Sequence, residues 1–115
     1  MGEIQGIARF KIHEGKLEEW KRLVAEAMET VRSKDSGTLQ YDVFLSEDSS
    51  EGVVIERYRD SDALLEHFAN LGDTMNALLQ TYSSISGEIL GTPSAALREA
   101  IGGADVRIYA PYQSM

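Results

Sequence analysis

The sequence predicts an α+β domain, on three observations. Apolar residues alternate with polar ones in several separate stretches, which is strand periodicity. Between them apolar residues recur every three to four positions, which is helix periodicity. The 115 residues leave too little chain for a second hydrophobic core, because a domain of this length already needs most of its apolar surface to bury roughly two-thirds of what unfolding would expose.

Alternation first runs from Ile4 to Ile12, with Ile4, Ala8, Phe10 and Ile12 on one face and Gln5, Arg9 and Lys11 on the other, which predicts a strand. After Gly15 the period changes. Leu17, Trp20, Leu23, Val24, Ala27, Met28 and Val31 form one apolar stripe, which predicts a helix of about five turns ended by the cluster Lys34 to Gly37. A second strand follows from Thr38 to Leu45, with Leu39, Tyr41, Val43 and Leu45 on one side. The polar loop SEDSSEG turns the chain into a third strand, Val53 to Arg59.

Asp60 or Ser61 can cap the next helix, whose apolar face holds Ala63, Leu64, His67, Phe68 and Leu71. Gly72 interrupts it, and Met75, Leu78, Leu79 and Tyr82 continue a stripe beyond. The break reads either as a bent helix covering the sheet edge or as a flap between two helices. Ser84 to Leu90 is a fourth strand. Pro93 suits a first helical turn, Ala96, Leu97, Ala100 and Ile101 form a short stripe stopped by Gly102 and Gly103, and Val106 to Ala110 is a terminal strand. The order strand, helix, strand, strand, helix, strand is the ferredoxin-like split βαβ arrangement, with an antiparallel sheet and both long helices on one face. Residues 1–115 are therefore expected to form a single domain, of which 93–115 are a carboxyl-terminal helix and strand extension. Apolar residues on both sides of the second and fourth strands, such as Phe44 opposite Leu45 and Leu90 opposite Ile89, predict that a second copy covers the other face as a homodimer.

Composition excludes several classes of function. Nineteen acidic against eleven basic residues give a formal charge of -8, which repels a phosphate backbone, so no nucleic-acid partner is expected. No apolar run approaches the roughly 20 residues of a membrane helix, and no membrane partner is expected. The amino terminus lacks the basic-then-apolar pattern of a secretory leader, and there is no cysteine. Both fit a cytoplasmic location. His13 and His67 lie on different elements without metal-ligand spacing, and no glycine fingerprint for a nucleotide lies between strand and helix, so neither metal nor cofactor is expected.

The residues that remain for chemistry converge on one region. Glu56 and Tyr58, two apart on a strand, share a face, and His67 points where its apolar helix neighbours point. By pattern alone His67 is either a core histidine with one satisfied hydrogen bond or a base at the rim of a pocket, and Glu56 either orients it or pairs with a neighbouring strand. Tyr58 and Tyr82 can donate to a substrate oxygen or simply pack. Asn70 can face the same rim or end the helix. Trp20 reads as a core anchor, and His13 as an exposed turn residue.

The segments GTLQYDVFLSED, VVIERYRDSDALLEHF and GEILGTPSAAL resemble the antibiotic biosynthesis monooxygenase family of dimeric α+β barrel proteins, which includes quinol monooxygenases. The resemblance covers Ile4 to Leu90, and its most specific part is Glu56, Tyr58, Asp60, Ala63, Leu64 and His67 in their relative positions. It implies a barrel shared between two sheets, a pocket between sheet and helices in each subunit, and oxidation of a small aromatic quinol, phenol or polyketide-like substrate by dioxygen without metal, flavin or haem. His67 and Glu56 would then be catalytic, and Tyr58, Asn70 and Tyr82 would contact substrate. Haem-degrading relatives combine an asparagine near the first strand with a tryptophan and a histidine. Here the first strand has no asparagine and Trp20 lies on the first helix. A noncatalytic or isomerising ligand-binding protein on the same scaffold is the alternative.

Overall fold

Residues 2–115, which the computed structural model describes, form a five-stranded sheet that carries three helices. The elements are β1 (Ile4–Ile12), α1 (Leu17–Lys34), β2 (Thr38–Leu45), β3 (Glu51–Tyr58), α2 (Ser61–Gln80), β4 (Tyr82–Leu90), α3 (Ala95–Ile101) and β5 (Val106–Tyr109). β1 pairs antiparallel with β3 on one side and β4 on the other, and β2 pairs antiparallel with β3. This is the ferredoxin-like core. β5 departs from the antiparallel expectation by joining β4 in parallel, because α3 carries the chain back across the sheet before the strand begins.

Alternation decides what each strand face meets. Phe10 and Ile12 of β1 and Val54 of β3 pack with Trp20, Leu23 and Ala27 of α1 in one buried cluster. Ile4, Tyr58 and Ile89 pack with Ala63 and Leu64 of α2 and Leu97 and Ile101 of α3 in a second. Among the described residues, no helix lies over the opposite face of the sheet. Phe44 projects there and is 55% exposed.

Capping sets where α2 starts. The Asp60 carboxylate accepts a hydrogen bond from the Ala63 amide at 2.9 Å, a cap of the kind that stabilises by about 1 kcal/mol. At Gly72 the backbone takes φ 44 and ψ -117 inside the helical run. The interruption read from the sequence is thus a kink that only glycine accepts without strain. The helix ends where the buried Thr81 hydroxyl donates to the Leu78 carbonyl at 2.6 Å. Tyr82, expected on the helical stripe, instead begins β4 opposite Ile12. Pro93 likewise falls before α3 rather than in its first turn, since Ser94 caps that helix through the Leu97 amide. Among the described residues, no helix is long and apolar enough to cross a membrane.

Candidate functional site

The inner face of β1 changes character along its length. At one end Phe10 and Ile12 fill the space beneath α1; at the other, Gly6 and Ala8 bring little side chain to the layer beneath α2, and Gly87 of β4 lies directly beside Ala8. The missing volume is a cavity of about 510 Å³ between sheet, α2 and α3, within the range of small-molecule sites. Its walls are largely apolar. Leu64, Phe68, Met75 and Leu79 of α2, Ile85 and Ile89 of β4, and Ile101 and Val106 from the extension line it, and Tyr41, Glu56 and His67 gather at one end.

His67 is 1% exposed and is held by a partner far away in sequence. Its Nδ1 lies 2.8 Å from Oδ2 of Asp35, the residue that ends α1. The same carboxylate accepts from the Thr38 hydroxyl at 2.6 Å and from the Asn70 amide at 2.8 Å. Burial pushes the Asp35 carboxyl up, but the hydrogen bonds from Asn70, Thr38 and His67 outweigh it and hold the group below the ordinary carboxylate range. An ionised carboxylate facing Nδ1 makes that nitrogen the donor, leaving Nε2 as the ring's acceptor.

The turn carrying Asp35 is fixed against α2. The Ser36 amide and hydroxyl both donate to Glu66 at 2.9 Å. A Cβ on Gly37 would come within 2.5 Å of the Ala63 Cβ, so glycine lets the turn approach the helix closely enough for Asp35 to reach His67. Around the imidazole, the rings of Tyr41 and Tyr58 stand with centroids 5.0 and 5.2 Å away.

Glu56 lines the cavity beside Gly6 and accepts the Tyr58 hydroxyl proton at 2.5 Å through Oε1. Burial raises its pKa, more than the Tyr58 bond and the His67 charge lower it. The site therefore pairs an imidazole acceptor with a carboxyl biased toward its neutral, proton-donating form. Burial, and next the Glu56 charge, also push the hydroxyls of Tyr41 and Tyr58 up, so both remain neutral donors.

Of the residues singled out from sequence, His67 and Glu56 line the cavity. Glu56 does not orient His67, because its partner is Tyr58; Asp35 takes that role. Tyr58 is fully buried behind Glu56, and Asn70 turns to Asp35. Tyr82 belongs to the other half of the layer, stacked on Phe10 at 4.5 Å with its hydroxyl accepting from the Trp20 indole at 3.4 Å. Asp35 and Tyr41 escaped the pattern reading. Tyr41 sits opposite Glu56 across β2 and β3, a strand-face relation that the alternation of both strands contains. Asp35 lies in a helix-ending cluster and carries no periodic signal.

A family model described as antibiotic biosynthesis monooxygenase matches residues 6–72. No protein of curated function matches the sequence. Among solved structures, MupZ from Pseudomonas fluorescens superposes with a TM-score of 0.86 at 21% identity, covering 100% of this chain and 94% of that one. Rv0793 from Mycobacterium tuberculosis gives 0.70 at 23% identity over 83% of this chain and 99% of its own. PA3566 from Pseudomonas aeruginosa gives 0.69 at 22% over 82% and 97%. At such identities the likeness carries the fold alone.

Proposed function

We propose that this protein, which belongs to the antibiotic biosynthesis monooxygenase family, is a cofactor-independent monooxygenase acting on an aromatic quinol, phenol or polyketide-like compound. The observation that carries the reading is the Asp35–His67 pair, 2.8 Å apart, at the polar end of an otherwise apolar cavity. A substrate hydroxyl placed at Nε2 loses its proton to the ring, and Asp35 stabilises the imidazolium that forms. The phenolate passes one electron to dioxygen. The resulting aryloxyl radical and superoxide combine, and protonation gives a carbon-bound hydroperoxide. Neutral Glu56 protonates the distal oxygen, which leaves as water as the O–O bond breaks. The substrate's C–H proton at that carbon passes to the Glu56 carboxylate as the quinone carbonyl forms, so one oxygen atom enters the product and dioxygen supplies all the oxidising equivalents. Tyr41 donates to the substrate anion.

The test is oxygen uptake with a panel of quinols and phenols. Uptake equal to substrate consumed, falling about 100- to 10,000-fold in His67→Gln, is the expected result. Absence of uptake with every member of the panel contradicts it. One observation favours a second reading: an acid, Glu56, and a base, His67, share one cavity, which suffices for isomerisation without oxidant. In that case product forms at an undiminished rate in the absence of oxygen.

The helix-free face of the sheet supports a homodimer. Phe44 is 55% exposed there, with Ile7, Val53, Ile55 and Leu90 half-buried on the same face, and a second copy would remove them from water. Light scattering should report twice the chain mass at micromolar concentration; a stable monomer would contradict it. A reducing, cytoplasmic compartment suits a chain with no cysteine.

A further inference from the structure

The cavity extends well beyond its polar end. From Tyr41 on β2 and Glu56 on β3 it passes beneath α2, crosses β1 and β4, and ends against α3 and β5 at Ala100, Ile101, Ala104 and Val106. In the strand order β2-β3-β1-β4-β5 that path crosses four strand spacings, about 19 Å at roughly 4.8 Å each. Tyr41, Glu56 and His67 occupy only its first part. Between them and the far wall, Phe68, Leu79, Ile85 and Ile89 offer hydrocarbon. Asp105, exposed to solvent, marks the far opening.

A single phenolic ring would fill the polar end and leave the rest empty. Leu79 and Ile85 remain 42% and 40% exposed along the unfilled length, apolar surface whose coverage would favour binding. The far wall is built by α3 and β5, which lie outside the residues 6–72 matched by the family model. We infer that the substrate carries an extended apolar arm of alkyl or acyl type beyond its ionisable ring, and that α3 and β5 form the subsite for that arm. The inference rests on the reading of the His67 end as the reacting end.

Binding of para-alkylphenols tests it without requiring turnover. Isothermal titration of the wild-type protein with para-cresol, para-propylphenol and para-hexylphenol should give affinities that rise with chain length, by up to about fourfold per added methylene. Ala100→Phe and, separately, Ala104→Phe place a ring in the far part of the cavity from exposed positions, so folding should survive in at least one. Each should leave para-cresol binding unchanged and abolish the gain from the hexyl chain. Equal affinities across the wild-type series, or a gain that persists in both variants, would overturn the proposal. His67→Gln separates this from the head-group reading. It should weaken the whole series by a common factor, whereas an unchanged series would put the ring elsewhere and sink that reading while the chain-length dependence still reported on the arm.

Discussion

One sheet supports two unlike halves. Beneath α1, the Trp20 and Phe10 rings stand 5.6 Å apart and Tyr82 stacks on Phe10 at 4.5 Å, so the layer is closed by aromatic packing. Beneath α2, Gly6, Ala8 and Gly87 replace such residues, and the layer holds a cavity with an acid and a base at one end. The polar groups follow the same division. Trp20 and Tyr82 satisfy each other at 3.4 Å, whereas the His67 ring, at the cavity wall, is held through Nδ1 by Asp35. The closed half is filled by packing and the open half holds the proposed reaction site, and they should respond differently to mutation.

The largest expected effect is on the closed side. Trp20→Ala should cost about 3–5 kcal/mol in urea unfolding, and a loss under 1 kcal/mol would break the comparison. On the open side, Asp35→Asn should leave the fold standing but lower turnover by at least about 100-fold, because a neutral amide neither holds the Nδ1–H tautomer nor stabilises the imidazolium. Turnover within about threefold of wild type would remove Asp35 from the mechanism.

Gly72→Ala comes next, and its cause can be isolated. Beyond its chain neighbours and the adjoining helix backbone, no atom lies within 4 Å of a Cβ built at this glycine, so the cost expected is backbone strain at positive φ, about 1–3 kcal/mol. Hydrogen exchange at residues 71–75 in the parent should be faster than in α1, as expected of the weaker, kinked helix beside the cavity. Protection equal to that of α1 would make the kink a rigid cover.

The smallest effects are in pH dependence, where Glu56 and Asp35 have opposite signs. Glu56 is raised above its ordinary 4.5, so the folded state binds its proton more tightly. Its contribution is present below that pH and lost as pH rises through the elevated value. Asp35 is lowered below its ordinary 3.8, so its contribution is present above that pH and lost as pH falls through the depressed value. Each slope is at most about 1.4 kcal/mol per pH unit. Urea unfolding across pH should therefore find Glu56→Gln gaining on wild type above pH 4.5, and Asp35→Asn closing its deficit below pH 3.8. Parallel curves for wild type and either variant would refute the assignment for that residue.

Element order was legible because strands and long helices carry their burial as a period, which β1 follows except at the half-buried Ile7 and Ala8. His67 was legible for the same reason: a titratable residue on an apolar stripe stands out. What pairs with it was not. Asp35 meets His67 across 32 residues, through a turn whose approach depends on Gly37 and on Ser36 bonding to Glu66. Such contacts are tertiary and leave no periodic trace. Tyr82 misled because its spacing continues the helical stripe, while Thr81 has already ended the helix through the Leu78 carbonyl. Shared strand face rightly brought Glu56 and Tyr58 together, but it does not distinguish the residue that lines a cavity from the one behind it.

In the proposed site Asp35 holds His67 with Nε2 open to a bound hydroxyl. Nitrogen-detected NMR of the His67 ring, at a pH where the imidazole is neutral, tests it directly and needs no turnover. The predicted result is the Nδ1–H tautomer, with a bare Nε2 whose resonance shifts when para-cresol is added. An Nε2–H tautomer, or an Nε2 resonance that saturating para-cresol leaves unmoved, would contradict the account.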